Sequence, residues 1–215
     1  MSEVVVAEAP GGPGGSPGGP GKVLSEADWD FWVENGYVIV PNAVPQTHLD
    51  ALIDRIWTFL EMDPDDPSGW YPPQHRVGGM VEFYQDQTLW DNRQYPRIHQ
   101  AFSEIWGNEK LWVSMDRANM KPPQHPNHPE YDHEGFIHWD LDSTQNPIPF
   151  AVQGVLYLSD TDENQGGFQC VPGFHALFPE WLKTQPIDRE PRRPDLADLE
   201  VKAIPGKAGD FLIWH

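Results

Sequence analysis

The chain is short of several things that would each point to a function class. It has a single cysteine, Cys170, among 215 residues. That excludes an internal disulfide framework and a cysteine-only zinc site, and it suits a reducing compartment. Positive charge is scarce: 14 Lys and Arg stand against 33 Asp and Glu, for a formal net charge of -19. Such a surface repels phosphate backbones and anionic lipid, so binding to nucleic acid or to a membrane surface is not expected. No apolar run approaches the ~20 residues that span a bilayer. The first ten residues carry neither the basic nor the apolar region of a signal peptide. The expectation is a cytoplasmic protein, long enough for one domain with a sizeable core.

Tryptophan is abundant, with ten residues, as an aromatic-lined core or pocket would need. Residues 10–21, PGGPGGSPGGPG, offer no apolar surface to offset their ordering entropy. We read residues 1–22 as a disordered tail and 23–215 as the folded domain. Ser25 with Asp28 three positions on reads as a helix start, and Asn35-Gly36 as its stop. Tyr37–Val40 reads as a strand. Thr47 is the expected cap of a second helix bearing Leu49, Leu52, Ile53, Ile56 and Leu60 at core-facing spacing. A third helix is expected over Pro96–Trp106. From Leu111 the period changes to two, and strands are expected at 111–121, 136–142, 150–158, 167–171, 199–204 and 210–215. Helices followed by many short strands predict a mainly β fold, a sandwich or barrel buttressed by N-terminal helices.

The sharpest chemical feature is Phe136-Ile137-His138-Trp139-Asp140-Leu141-Asp142. Residues two apart on an extended segment project together, so His138 and Asp140 can offer an imidazole nitrogen and a carboxylate oxygen to one divalent metal. One further histidine would complete a 2-His-1-carboxylate triad, the arrangement that leaves positions open on non-haem Fe(II). The same triplet is also met as a histidine hydrogen-bonded to a nearby aspartate. His125, His128 and His133 lie in a loop interrupted by proline with no cysteine partner, and they read as an adaptable segment over a pocket mouth. Asp160 to Asn164 lacks the glycine and the glutamate of a calcium loop and reads as a solvated turn.

The segments VLSEADWDFWVENGYVIVPNAVPQTHLDAL, MDRANMKPP, FIHWDLD, AVQGVLYLSDTDENQGGFQCVPGFH and AGDFLIWH, in that order, resemble the phytanoyl-CoA dioxygenase family. The resemblance covers nearly everything from Leu24 to His215. It implies a double-stranded β-helix (a jelly-roll, cupin-like barrel) and an Fe(II)- and 2-oxoglutarate-dependent oxygenase that uses O2 to hydroxylate a C–H bond. It places the first metal ligands on His138 and Asp140. It puts Arg117, Asn119 and, further along, Lys121 on a strand lining the 2-oxoglutarate pocket, with Val155 beside the cosubstrate. His175 falls at a structural turn that does not bind metal.

The family's third metal ligand and the arginine that clamps 2-oxoglutarate fall beyond His215 in the alignment. His215 is therefore expected as a neighbour of the site, and the chain as a piece lacking its last strands. The alternative function is a non-catalytic barrel that binds without a complete metal site. A cupin of other chemistry ranks last, because its metal triplet is His-x-His. The expected partner is a small organic molecule. The acidic balance argues against a coenzyme A ester, and Arg189, Arg192 and Arg193 form the one dense basic cluster.

Overall fold

A computed structural model describes residues 22–72, 77–112, 114–132 and 135–215, together with the backbone alone of Val77. The Gly/Pro-rich tail, His75, Val113 and His133 lie outside the described residues. Helix α1 (Glu26–Asn35) begins as its sequence predicts: Ser25 Oγ accepts from the Asp28 N–H, and Asp28 Oδ2 accepts from the Ser25 N–H at 2.8 Å. It stops at Gly36, whose φ of 76° few other residues adopt. A Cβ there would also stand 2.5 Å from His175 Nδ1, so glycine is required twice over.

Strand β1 (Tyr37–Val40) leads to α2 (Gln46–Leu60). The expected cap fails: Pro45 precedes α2 with no side-chain hydrogen bond, and Thr47 lies inside the first turn. The Pro45 carbonyl takes up the first turn instead, accepting from the His48 N–H at 2.9 Å and the Leu49 N–H at 3.4 Å. The apolar stripe of α2 divides between two cores, Leu49 in one and Leu52, Ile56 and Leu60 in the other. Short β2 (Met80–Val81), α3 (Gln87–Arg93), α4 (Pro96–Trp106) and β3 (Ala118–Asn119) follow. The second half contributes β4 (Gln153–Leu156), β5 (Gln169–Cys170), α5 (Phe174–Thr184), β6 (Lys202–Ala203) and β7 (Phe211–Trp214).

The central sheet has the order β1-β7-β4, with both pairings antiparallel. One face presents Val38, Val40, Phe211 and Ile213 to Trp29 and Trp32 of α1 and to Ile98, Ala101 and Ile105 of α4. The opposite face, here the inner face, presents Tyr37, Ile39, Leu212 and Trp214 to Tyr157, Phe168, Cys170 and Ile204. Phe168, Cys170 and Ile204 flank or belong to the β5–β6 pair, so the small sheet covers part of the inner face, while Tyr157 follows β4. The Tyr157 hydroxyl donates to the Ile204 carbonyl at 2.6 Å and fastens the two layers. Leu212 and Ile213, each fully buried on opposite faces of β7, contribute roughly 1.5–3 kcal/mol apiece.

Two expectations are corrected. Among the described residues the strands form three small sheets, β1-β7-β4, β2-β3 and β5-β6, and not a closed barrel. Among the described residues, the segments 111–121 and 136–142, read as strands, form named strands over Ala118–Asn119 alone and not at all, respectively. The prolines at 122, 123, 126 and 129 remove ladder donors between them. Backbone groups of 139–143 bond instead to the loop that follows α5.

Candidate active site

Phe136 to Asp142 owes its conformation to that loop. The Trp139 N–H donates to the Arg192 carbonyl at 2.8 Å, and the Arg192 Nε–H donates back to the Trp139 carbonyl at 3.0 Å. The Ser143 N–H donates to the Pro191 carbonyl, and the Arg189 guanidinium donates to the Ser143 carbonyl at 2.8 Å and to its Oγ at 3.0 Å. The Trp139 ring packs on Phe178 and Trp181 of α5, with centroids 5.3 and 5.6 Å away. His138 and Asp140, on either side of Trp139, come together.

His138 Nε2 stands 3.5 Å from Asp140 Oδ1. That is long for a hydrogen bond. Two ligand atoms each about 2.1 Å from one ion, at an angle near 90–110°, stand roughly 3.0–3.4 Å apart, so the spacing fits a divalent metal. The Phe136 ring stacks on the imidazole at 4.4 Å. Asp140 Oδ2 accepts from Gln153 Nε2 at 2.8 Å, and Oδ1 accepts from Arg192 Nη2 at 2.9 Å. The Gln153 amide above all, with His138 and Arg192 adding their charge, holds the Asp140 carboxyl below its ordinary value despite partial burial. Asp140 is therefore ionised at neutral pH, as a ligand must be.

Gln153 ties the pair to the fold. It lies opposite Trp214, and Val155 lies opposite Leu212, so both belong to the inner face of the central sheet. Val155 is 36% exposed, so that face is partly open beside the pair. Next to Gly135, Gln169 of β5 approaches from the other sheet, with its Oε1 3.4 Å from where a Cβ would stand. The His138/Asp140 pair is thus tied through Gln153 to β4, an edge strand of the central sheet.

Arg117 and Asn119 lie apart from it. Asn119 Nδ2 donates to the Gly78 carbonyl at 2.6 Å, and the exposed Arg117 guanidinium lies 5.9 Å over the Tyr84 ring. Among the described residues no hydrogen bond or ion pair joins either one to His138 or Asp140. A recess of about 190 Å³ lined by Tyr84, Trp90, Arg93 and Met115 lies on this edge, and neither His138 nor Asp140 is among its lining residues. Lys121 Nζ reaches the Gly166 carbonyl at 2.6 Å, and burial lowers its pKa.

The remaining histidines have other occupations. His175 Nε2–H donates to the Val33 carbonyl at 2.9 Å and secures the end of α1. The ring of His215 stacks on Phe150 at 4.7 Å and meets Trp32 edge-on, on the helix-covered face away from Gln153. His125 and His128 pack on Tyr71, at 5.2 and 4.6 Å. Among the described residues no group of three or more His, Cys, Asp or Glu could hold a metal. Sequence reasoning missed Gln153 and Arg192. The first shares strand alternation with Val155 and was within reach; the second joins Asp140 across 52 residues, which no local pattern reveals.

A family model described as phytanoyl-CoA dioxygenase (PhyH) matches residues 32–215. The chain belongs to the phytanoyl-CoA dioxygenase family. Its relatives include a putative phytanoyl-CoA dioxygenase of Dictyostelium discoideum, 23% identical over 87% of this chain and 67% of that protein. An ectoine dioxygenase of Bordetella bronchiseptica is 29% identical over 55% of this chain. The match takes in 42% of that relative, so the chain spans between two fifths and two thirds of these two proteins. Among solved structures it is similar to the non-haem α-ketoglutarate-dependent carbocyclase SnoK of nogalamycin biosynthesis, with a TM-score of 0.54 and 21% identity over 92% of this chain and 78% of that one. That likeness is one of fold alone. No described helix is long and apolar enough to cross a membrane.

Proposed function

We propose that this member of the phytanoyl-CoA dioxygenase family is an Fe(II)- and 2-oxoglutarate-dependent dioxygenase that hydroxylates a C–H bond of a small organic substrate. The observation that carries the reading is the convergence of His138 Nε2 and Asp140 Oδ1 at 3.5 Å, beside Gln153 of β4. Fe(II), when bound, supplies the activation of O2 coupled to decarboxylation of 2-oxoglutarate to succinate and carbon dioxide. His138 and Asp140 are the proposed protein ligands. Gln153 fixes the carboxylate plane through Oδ2, which leaves Oδ1 turned toward His138. Val155, two positions along β4 from Gln153 and on the same face, offers an exposed apolar surface next to the strand position that holds Asp140. Arg117, Asn119 and Val155 remain the proposed cosubstrate contacts by family position, and Val155 has the most direct structural support through its shared face with Gln153.

One observation favours a second reading, a non-catalytic binding domain: no third metal-ligating side chain joins the pair among the described residues. A single assay separates the two. Succinate release is measured with Fe(II), ascorbate and 2-oxoglutarate for the protein and for His138→Ala. Turnover that disappears in the variant supports the dioxygenase. Turnover equal in both proteins refutes the assignment of His138, and binding of 2-oxoglutarate without any turnover supports the second reading.

A further inference from the structure

Oδ1 of Asp140 is the carboxylate oxygen nearest His138, so an ion that bridges the pair has to bind it. That oxygen already accepts from Arg192 Nη2 at 2.9 Å, while Oδ2 is held by the neutral Gln153 amide. We propose that Arg192 competes with a divalent ion for Asp140 Oδ1, so that its guanidinium must give up that oxygen when the ion enters. The inference rests on the metal reading of His138 and Asp140.

Charge and anchoring both support it. With a neutral imidazole the pair carries one negative charge, and the guanidinium cancels it. A divalent ion placed beside a guanidinium still in contact with the same oxygen would face like-charge repulsion in a half-exposed site. Arginine does not deprotonate in proteins, so the competition cannot be removed by pH and must be resolved by movement. That movement is small. The Arg192 Nε–H bond to the Trp139 carbonyl and the Trp139 N–H bond to the Arg192 carbonyl hold the residue from its other end. The Arg192 side chain is 54% exposed, so water can receive the freed Nη2. The arrangement weakens metal affinity by the strength of one ion pair. Arg192 is thus a regulator of loading that touches a proposed ligand and is not itself one.

The test is a Mn(II) titration, read by electron paramagnetic resonance of the free ion, on the protein, Arg192→Gln, Arg192→Lys and His138→Ala. Arg192→Gln should bind Mn(II) about three- to fivefold more tightly at low salt, the fold-change equivalent to one partly exposed ion pair. The gain should shrink as ionic strength rises. Arg192→Lys, which keeps the charge, should stay near the wild-type affinity. Unchanged or weaker binding by Arg192→Gln would overturn the proposal while leaving the metal reading intact. Binding unaffected by His138→Ala, or absent from both the wild type and Arg192→Gln, would overturn both. In the wild type, Zn(II) should also shift the Arg192 side-chain resonances in nitrogen-15 spectra. A filled site with those resonances unmoved would overturn the proposal without recourse to any variant's folding.

Discussion

Gly154 is where the central sheet and the candidate site are most tightly coupled. It lies opposite Ile213 on β4, one residue after the Gln153 that holds Asp140. A Cβ at this position would stand 2.4 Å from Phe211 Cζ, 2.5 Å from Phe211 Cε1 and 3.2 Å from the Leu212 carbonyl oxygen. The ring cannot simply turn aside, because Phe211 is buried and meets Phe102 edge-on at 5.8 Å. Overpacking of this kind costs about 1–3 kcal/mol. Alanine recovers about 0.4–1 kcal/mol by restricting the unfolded chain, so Gly154→Ala should lose a net of about 1–2 kcal/mol. At about 2–4 °C per kcal/mol for a chain of this size, the melting temperature should fall by roughly 2–8 °C. Thermal melts followed by circular dichroism, repeated in a Phe211→Leu background where the clashing ring atoms are gone, measure the coupling. A Gly154→Ala protein melting within about 1 °C of wild type, against the ~2–4 °C expected per kcal/mol, would refute the clash. So would an equal loss in both backgrounds.

Three further outcomes follow from the same structure. Replacing Gln153 with Leu removes the donor on Asp140 Oδ2 and should weaken Fe(II) binding by about tenfold or more, measured by anaerobic calorimetry, as loss of a ligand's supporting hydrogen bond generally does. Leu212→Ala, at a fully buried position in the central strand, should cost about 2–5 kcal/mol in urea unfolding. Burial pushes the Cys170 thiol up to about 11, and burial first with the Cys170 charge second pushes Tyr157 up to about 12. The folded state therefore keeps protons that the unfolded state releases, so stability is full below about pH 9 and is lost as pH rises toward 11. Melting temperatures across that window check the sign, and alkylation of Cys170 at pH 8 should be far slower in the folded protein than in urea.

What could be read from the residues was what local chemistry decides. The Ser25/Asp28 capping box and the Gly36 stop are contacts within a few positions and are found as expected. Of the α2 stripe, Leu49, Leu52, Ile56 and Leu60 are buried while Ile53 is only partly so. The pairing of His138 with Asp140 was legible because side chains two apart converge on an extended backbone whatever holds it. What holds it was not legible, because the partners of Trp139 and Ser143 are Arg192 and Pro191, about fifty residues away. Helix α5 shows the opposite failure. Phe174, Phe178 and Trp181 have helical spacing, but Gly173 before them and Pro179 within read as breakers. The helix forms because those rings bury against Trp139, a tertiary gain that outweighs the local cost. The contact of Arg117 with Tyr84, 33 positions earlier in the chain, was likewise beyond any local pattern.

The central claim is that His138 and Asp140 together hold the metal. Anaerobic calorimetric titration of Fe(II) into the protein, His138→Ala and Asp140→Ala tests it most directly. The account predicts one saturable site in the wild type that is lost in each variant, with all three proteins melting alike in the absence of metal. Equal Fe(II) binding in the wild type and both variants would contradict it.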